Sequence, residues 1–139
     1  MICVLDVSGG IEVVLDRKQS KTIEPYLQDA DQVISPDLYV AESSNVYWKY
    51  VYSKQMDEST AEKALEYMLE LVDLFEPSDS LFREAFGLSC RQTSHPVYDS
   101  LYLVLARRNN AVLLTLDTRL ADDCRKLSIK TAPLGRGEG

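Results

Sequence analysis

The clearest strand in the chain is predicted by residues 111–117, AVLLTLD, an apolar run that ends in an aspartate. A short, continuous apolar run is typical of a strand buried on both faces of a parallel sheet. Residues 2–6, ICVLD, repeat this pattern near the other end of the chain. Ligands of open α/β sheets bind at the carboxyl ends of the strands, so we expect Asp6 and Asp117 to face one crevice. For either aspartate alone, the N-cap of a following helix is the better explanation, whereas the two together favour a shared site.

Helical patterns alternate with strand patterns along the rest of the chain. Further strands are predicted at 32–35, 74–77 and 129–132, and helices at 9–16, 20–29, 38–54, 61–72, 78–91, 97–108 and 119–127. Ser8 is expected to cap the first of these helices. The alternation predicts an α/β fold with a central, mainly parallel sheet. We expect one domain over residues 1–133 and a flexible C-terminal tail over 134–139.

The composition is that of a globular protein. The chain has 139 residues, of which 45% are hydrophobic and 27% are charged, which is enough for a sizeable core without disulfides or a structural metal. No apolar run approaches the ~20 residues of a membrane helix, and the start of the chain has no basic leader. We therefore expect a cytoplasmic protein that does not associate with a membrane.

The cysteine and histidine content excludes several kinds of site. Cys3, Cys90 and Cys124 are widely spaced and odd in number, so reduced thiols are predicted. The chain has a single histidine, His95, which excludes the usual zinc patterns, and its predicted position in a turn argues against a His-based triad. The formal net charge of −7, taken alone, argues against a nucleic-acid partner.

Asp99 stands in an otherwise apolar helix. Between residues 97 and 106 the only side chains that are neither apolar nor aromatic are Asp99 and Ser100, and a helix that is apolar nearly all round is a buried helix. An unpaired buried charge costs several kcal/mol, so a cation, a basic partner or protonation must compensate it. The alternative is a carboxylate stabilised by the helix dipole, because Asp99 follows Pro96 by one turn.

Glu42 lies early in the predicted helix 38–54, on the same side as Asn45, one turn further on. A solvated helix glutamate is the usual alternative. Together with the three aspartates, however, it forms an all-oxygen set without histidine or cysteine, which suits Mg²⁺ or Mn²⁺. Such sites serve phosphate chemistry, with one or two ions. Four carboxylates gathered without metal repel one another, so metal is expected to stabilise the protein.

Four segments, in this order, resemble the PIN domain family. They are residues 5–8 (LDVS), 36–45 (PDLYVAESSN), 98–106 (YDSLYLVLA) and 114–120 (LTLDTRL). More narrowly, they are similar to the VapC-like toxin ribonucleases of bacterial and archaeal toxin–antitoxin pairs. Each motif alone is weak, but the ordered set is specific and covers nearly the whole chain.

The resemblance implies an α/β/α sandwich and an endoribonuclease that uses Mg²⁺ or Mn²⁺ to hydrolyse RNA phosphodiester bonds, as the toxin of a type II toxin–antitoxin pair. It implies a homodimer inhibited by a small antitoxin protein that inserts a segment into the active site. The catalytic, metal-binding carboxylates would be Asp6, Glu42, Asp99 and Asp117. The supporting polar residues would be Ser8, Asn45 and Thr115.

Two features depart from the family pattern. Many relatives carry another acid two or three residues after the last aspartate, where this chain has Arg119 and Leu120, so a second metal site is left open. The pair Gly9 and Gly10 after the first motif is less usual, and is expected to loosen the start of the first helix.

Basic residues collect in the last third of the chain and are predicted to form a rim for the RNA backbone, although solvation of two helices is the better explanation for any single one of them. The predicted contacts are Arg107, Arg108 and Arg119, with Arg125, Lys126 and Lys130 nearby. Bound metal would offset much of the repulsion between the acids and phosphate.

Other functions stay open. One alternative is a catalytically weak or inactive PIN-like module that binds RNA or protein, which the arginine at position 119 keeps in view. Another is a housekeeping RNA-processing nuclease with the same chemistry. A phosphoaspartate receiver domain is not favoured, because it expects paired acids after the first strand and this chain has Asp6 alone there.

Overall fold

The computed structural model describes residues 1–133 and is built around a parallel sheet. Its strands, in the order β3-β2-β1-β4-β5 across the sheet, are β1 (Ile2–Leu5), β2 (Gln32–Pro36), β3 (Leu74–Glu76), β4 (Val112–Leu114) and β5 (Lys130–Thr131). All neighbouring strands within these residues pair in parallel. The predicted α/β fold with a parallel sheet is therefore confirmed. The predicted tail over 134–139 lies outside the described residues.

Helices cover both faces of the sheet. They are α1 (Val7–Val14), α2 (Ser20–Asp29), α3 (Leu38–Tyr52), α4 (Glu58–Glu70), α5 (Phe82–Leu88), α6 (Val97–Arg108) and α7 (Thr118–Lys126). The helix predicted over 78–91 is divided: a 3₁₀ turn over Ser78–Ser80 precedes α5 and a π-helical turn over Ser89–Thr93 follows it. Within residues 1–133, none of the helices has the length and apolarity needed to cross a membrane.

The core has two layers, because side chains of β1 point alternately to the two faces of the sheet. Val4 packs with apolar residues of α5, α6 and α7 on one face. Cys3 and Leu5 pack with α1, α2, α3 and α4 on the other. The result is the predicted α/β/α sandwich, with β1 at its centre between β2 and β4.

The predicted burial of α6 is confirmed. Every residue from Ser100 to Ala106 is buried, because α6 packs against β1, β2 and β4. The first turn of α6 lies at the carboxyl end of the sheet, where Asp99 and Tyr102 line the same cavity as Asp6. The packing of this helix therefore brings a carboxylate from late in the chain to the end of β1.

The N-cap predicted for the first helix is wrong by two residues. The helix begins at Val7 and its N-cap is Asp6, whose carboxylate accepts a hydrogen bond from the backbone N–H of Gly9. Ser8 lies inside the first turn and donates to Asp6 instead. An aspartate that follows a strand directly can cap a helix as well as a serine does, and the strand ends early enough for Asp6 to take this position.

Candidate active site

The carboxyl ends of the neighbouring strands β1 and β4 border a cavity of about 180 Å³. All four predicted carboxylates line it, together with four other side chains: Asp6, Glu42, Asp99 and Asp117, with Val7, Ser8, Tyr102 and Leu120. The acids come from four separate places: the end of β1, the second turn of α3, the first turn of α6 and the N-cap of α7. Acids far apart in the sequence therefore meet in one crevice.

Asp6 is the most enclosed of the four acids, with only 6% of its surface exposed. Its carboxylate accepts hydrogen bonds from Ser8 Oγ at 2.7 Å, from Gly9 N at 2.9 Å and from the Thr115 hydroxyl. Burial nevertheless raises the pKa of Asp6 to about 6, because it outweighs the opposing effect of these donors, and the nearby Asp117 adds to the rise. Asp6 therefore holds its proton to a higher pH than an ordinary aspartate does.

Two of the predicted supporting residues join the loops at the ends of β1 and β4. Ser8 Oγ accepts from Leu116 N at 2.9 Å, and Thr115 Oγ1 accepts from Asp117 N at 3.0 Å. Asp117 then caps α7 by accepting from the backbone N–H groups of its first turn. This network fixes Asp6 and Asp117 relative to each other before any ligand binds.

Glu42 is oriented by a residue that sequence reasoning missed. The hydroxyl of Tyr102 donates to Glu42 Oε1 at 2.8 Å. Burial raises the pKa of Glu42, the Tyr102 hydrogen bond lowers it, and the charge of Asp99 raises it. A tyrosine in an apolar run is normally interpreted as core. The available signal was its spacing, because Tyr102 follows Asp99 by three residues and therefore shares its side of the helix.

Asp99 has a basic partner, one of the three compensations expected for a charge in an apolar helix. Arg119 Nη2 donates to Asp99 Oδ2 at 2.8 Å. The pKa of Asp99 is still raised, because the cost of burying the charged form exceeds the attraction of Arg119. Arg119, predicted as an RNA contact, is therefore already bound to one of the predicted metal ligands.

Three other predicted site residues do not reach the cavity. Asn45 is exposed on α3 and is not part of the lining. Arg107 and Arg108 lie in the last turn of α6, where both bond to Glu84, at 3.2 and 3.4 Å. This end of α6 is about 12 Å along the helix axis from Asp99, at about 1.5 Å per residue. The helix thus separates these arginines from the acids, and their contact with RNA stays a prediction.

The thiols and the imidazole also lie outside the cavity lining. Cys3, Cys90 and Cys124 are free, as predicted. Burial raises the pKa of Cys3 to about 11 and that of Cys124 to about 12, which keeps both as thiols. His95 bonds through Nδ1 to the buried carboxylate of Asp123 at 2.5 Å. The chemistry of the cavity therefore rests on oxygen ligands.

The cavity has the right kind of ligands for a divalent cation, but they are not yet arranged around one point. Among residues 1–133, no group of three or more acidic, histidine or cysteine side chains is arranged closely enough to hold a metal ion as it stands. Three of the four carboxylates have side-chain partners instead: Asp6 has Ser8 and Thr115, Glu42 has Tyr102, and Asp99 has Arg119. Four carboxylates on one cavity are nevertheless the ligands that Mg²⁺ and Mn²⁺ prefer.

The acidic crevice lies at the carboxyl ends of the central strands of a parallel sheet. This is the place where open-sheet α/β proteins bind their ligands. The PIN domain family model matches residues 3–125. The chain therefore belongs to the PIN domain family, as its motifs predicted.

Individual relatives agree with this assignment. The chain is 27% identical over 124 residues to Ribonuclease VapC3 of Pyrobaculum aerophilum, which covers 88% of this chain and 94% of that protein. The crystal structure of PAE2754 from Pyrobaculum aerophilum matches with a TM-score of 0.70 and 19% identity, over 88% of this chain and 86% of the other. VapBC2 of Rickettsia felis, solved with a DNA fragment from their promoter, matches with a TM-score of 0.67 and 14% identity, over 94% and 97%. These structures confirm the fold.

Proposed function

We propose that this chain is a divalent-metal-dependent endoribonuclease that hydrolyses RNA phosphodiester bonds, and that it is the toxin of a type II toxin–antitoxin pair. The observation that carries the proposal is the single cavity lined by Asp6, Glu42, Asp99 and Asp117. Membership of the PIN domain family and likeness to a protein named as a ribonuclease support it. We propose that residues 1–133 act as one nuclease domain.

In this proposal the cavity lined by the four acids holds Mg²⁺ or Mn²⁺. The bound ion supplies charge neutralisation at the phosphate and activation of the attacking water. The protein's own contribution is to keep the acids in position: Ser8 and Thr115 hold Asp6, and Tyr102 holds Glu42. Asp6 must lose its proton before it can ligate a cation, so metal binding and deprotonation of this residue are coupled.

The proposed partners follow from the same family. VapC and VapBC are the names of the relatives and neighbours described above, so we propose a small antitoxin protein as partner, RNA as substrate, a homodimer and a cytoplasmic location. Light scattering on the purified chain tests the homodimer directly. A small antitoxin gene next to the gene for this chain would favour the toxin over a housekeeping nuclease.

The test of the nuclease is cleavage of labelled single-stranded and tRNA-like RNA, in Mg²⁺, Mn²⁺ or EDTA. Cutting is expected with either metal and not in EDTA. Asp6→Asn and Asp99→Asn are each expected to lower the rate by about 10- to 100-fold, since each removes a charged group from the acidic cavity. Asp79→Asn is the matched control, because Asp79 is an exposed aspartate outside the cavity. Cutting that survives EDTA or both cavity variants would contradict the proposal.

A second candidate, an inactive PIN-like binding module, is favoured by one observation: Arg119 already neutralises Asp99. For this module we expect metal or RNA to bind without turnover. Absence of cutting by a preparation free of antitoxin, together with metal binding in calorimetry, would favour the binding module over the nuclease.

A further inference from the structure

Arg119 is attached to two of the four cavity acids. Its guanidinium donates to Asp99 Oδ2 at 2.8 Å, and its backbone N–H donates to Asp117 Oδ1 at 2.9 Å. The backbone contact belongs to the N-cap of α7, so it fixes where the side chain starts. The position of the Arg119 backbone is therefore set by the fold of the β4–α7 turn, and its side chain reaches the carboxylate of Asp99.

The ion pair lies at the border between the cavity and solvent. The side chain of Asp99 is 18% exposed and that of Arg119 is 48% exposed. A guanidinium does not lose its proton in proteins, so this positive charge is present at every working pH. A cation beside Asp99 would have to displace Arg119 from Oδ2 and would meet a fixed like charge. This half of the cavity is therefore unfavourable for a metal ion.

Among residues 1–133, no basic side chain bonds to the carboxylates in the other half of the cavity. Asp6 bonds to the neutral donors Ser8, Thr115 and the backbone N–H of Gly9, and Glu42 bonds to the neutral hydroxyl of Tyr102. Neutral donors orient a carboxylate without cancelling its charge. No fixed positive charge from these donors therefore opposes a divalent cation at Asp6 and Glu42.

We propose that Arg119 takes the place of a second metal ion, so that the chain binds one divalent cation on the side of Asp6 and Glu42. This inference rests on the proposed function, because it assumes that the acids hold metal. It gives Arg119 the role of a positioning residue that sets the metal stoichiometry. It also explains why an arginine is compatible with a site that otherwise contains only acids and neutral donors.

The test is to count bound Mn²⁺ on the purified full chain, by calorimetry and by electron paramagnetic resonance of the free ion. We expect one ion per wild-type chain and two per Arg119→Gln chain, because the substitution frees Asp99 and removes the fixed charge. Arg125→Gln is the matched control: Arg125 lies on the same helix, pairs with Asp122, and its loss changes the net charge equally. This control is expected to bind one ion.

Wild-type spectra give a second readout that needs no variant. At saturating Mn²⁺ we expect the hyperfine pattern of an isolated ion, whereas two neighbouring ions would give a spin-coupled spectrum. Two ions on the wild type overturn the inference and leave the proposed nuclease intact. One ion on Arg119→Gln, or two on Arg125→Gln, also overturns it. A wild type that binds no ion overturns this inference and the proposed metal-dependent function together.

Discussion

Asp6 combines two roles that make opposite demands on its charge. As N-cap of α1 it accepts hydrogen bonds, which favour the carboxylate, and as a buried group it favours the protonated form. Burial prevails and the pKa rises from 3.8 to about 6. Capping and lining the acidic cavity are therefore not alternatives for Asp6, because one carboxylate does both.

The raised pKa of Asp6 predicts a pH dependence of stability in the metal-free protein. A carboxyl with a raised pKa in the folded state holds its proton there while the unfolded state loses it, so the free energy of unfolding falls as pH rises from about 4 to about 6 and then levels. The shift from 3.8 to about 6 corresponds to about 3 kcal/mol. In EDTA, Asp6→Asn should be more stable than wild type by up to that amount at neutral pH.

Urea denaturation of both proteins across this pH range measures the effect. Comparing the two proteins removes the contribution of other acids, among them Asp31 and Asp57, whose pKa values are lowered by hydrogen bonds. The difference in free energy of unfolding between Asp6→Asn and wild type should shrink to a small fraction of its neutral-pH value near pH 4. If the free energy of unfolding depended on pH in the same way for both proteins, the pKa of Asp6 would not be raised in the folded state.

Tyr102 gives a second prediction at the scale of one atom. Tyr102→Phe removes the hydroxyl that donates to Glu42 and keeps the buried ring. The lost hydrogen bond should lower the free energy of unfolding by about 1 kcal/mol, and the pKa of Glu42 should rise further because this donor lowers it. Tyr98→Phe is the control on the same helix, since Tyr98 is 64% exposed. Equal effects of the two changes in urea denaturation would refute the positioning role.

At the scale of elements, the packing of α1 against the sheet depends on two glycines. Gly9 and Gly10 were expected to loosen the start of α1. Both are instead buried within the helix. A Cβ on Gly9 would lie 2.9 Å from the carbonyl oxygen of Leu114, and one on Gly10 would lie 2.7 Å from the hydroxyl of Tyr39. The glycines let α1 approach β4 and α3 closely.

Gly9→Ala should therefore separate α1 from β4. The clash is with backbone, which cannot move aside cheaply, so we expect a loss of about 1–3 kcal/mol in the free energy of unfolding. Gly87→Ala is the matched control in α5, because the atoms it meets belong to the end of the exposed Arg91 side chain. This control should be neutral or stabilising by up to about 1 kcal/mol. Chemical denaturation that ranks the two variants in the opposite order would exclude this account of α1.

At the scale of the whole molecule, the gathered acids predict that metal and stability are linked. Burial raises the pKa of Asp6, Glu42 and Asp99 in the metal-free chain. A cation that binds only the folded state at a hundred times its Kd adds about 2.7 kcal/mol. For a chain of this size we expect Mn²⁺ to raise Tm by roughly 5–10 °C over EDTA. Asp6→Asn should lose most of this rise in thermal scans, and an equal rise in both proteins would place the ion elsewhere.

The sequence alone predicted the α/β architecture. It also singled out the aspartates after β1 and β4 and the one at the start of α6. The apolar runs of β1 and β4 each end in an aspartate, and the all-apolar pattern of α6 marks Asp99 as unusual. These features are local: strand and helix periodicity and a charge out of place are visible within about ten residues. Glu42 was less visible, because a glutamate in an amphipathic helix is usually solvated, and it was identified by the family motif.

Only the tertiary structure decided which side chains meet. Thr115 bonds to Asp6, Tyr102 to Glu42, and Arg119 to Asp99, whereas Arg107 and Arg108 turn to Glu84 instead. Each of these pairs joins separate elements, so it depends on the rotation of each helix about its axis and on how closely it packs against the sheet. Local periodicity sets which face of a helix is apolar. It does not set which polar groups at the rim of that face come within hydrogen-bond distance, because this is fixed by contacts between residues far apart in the chain.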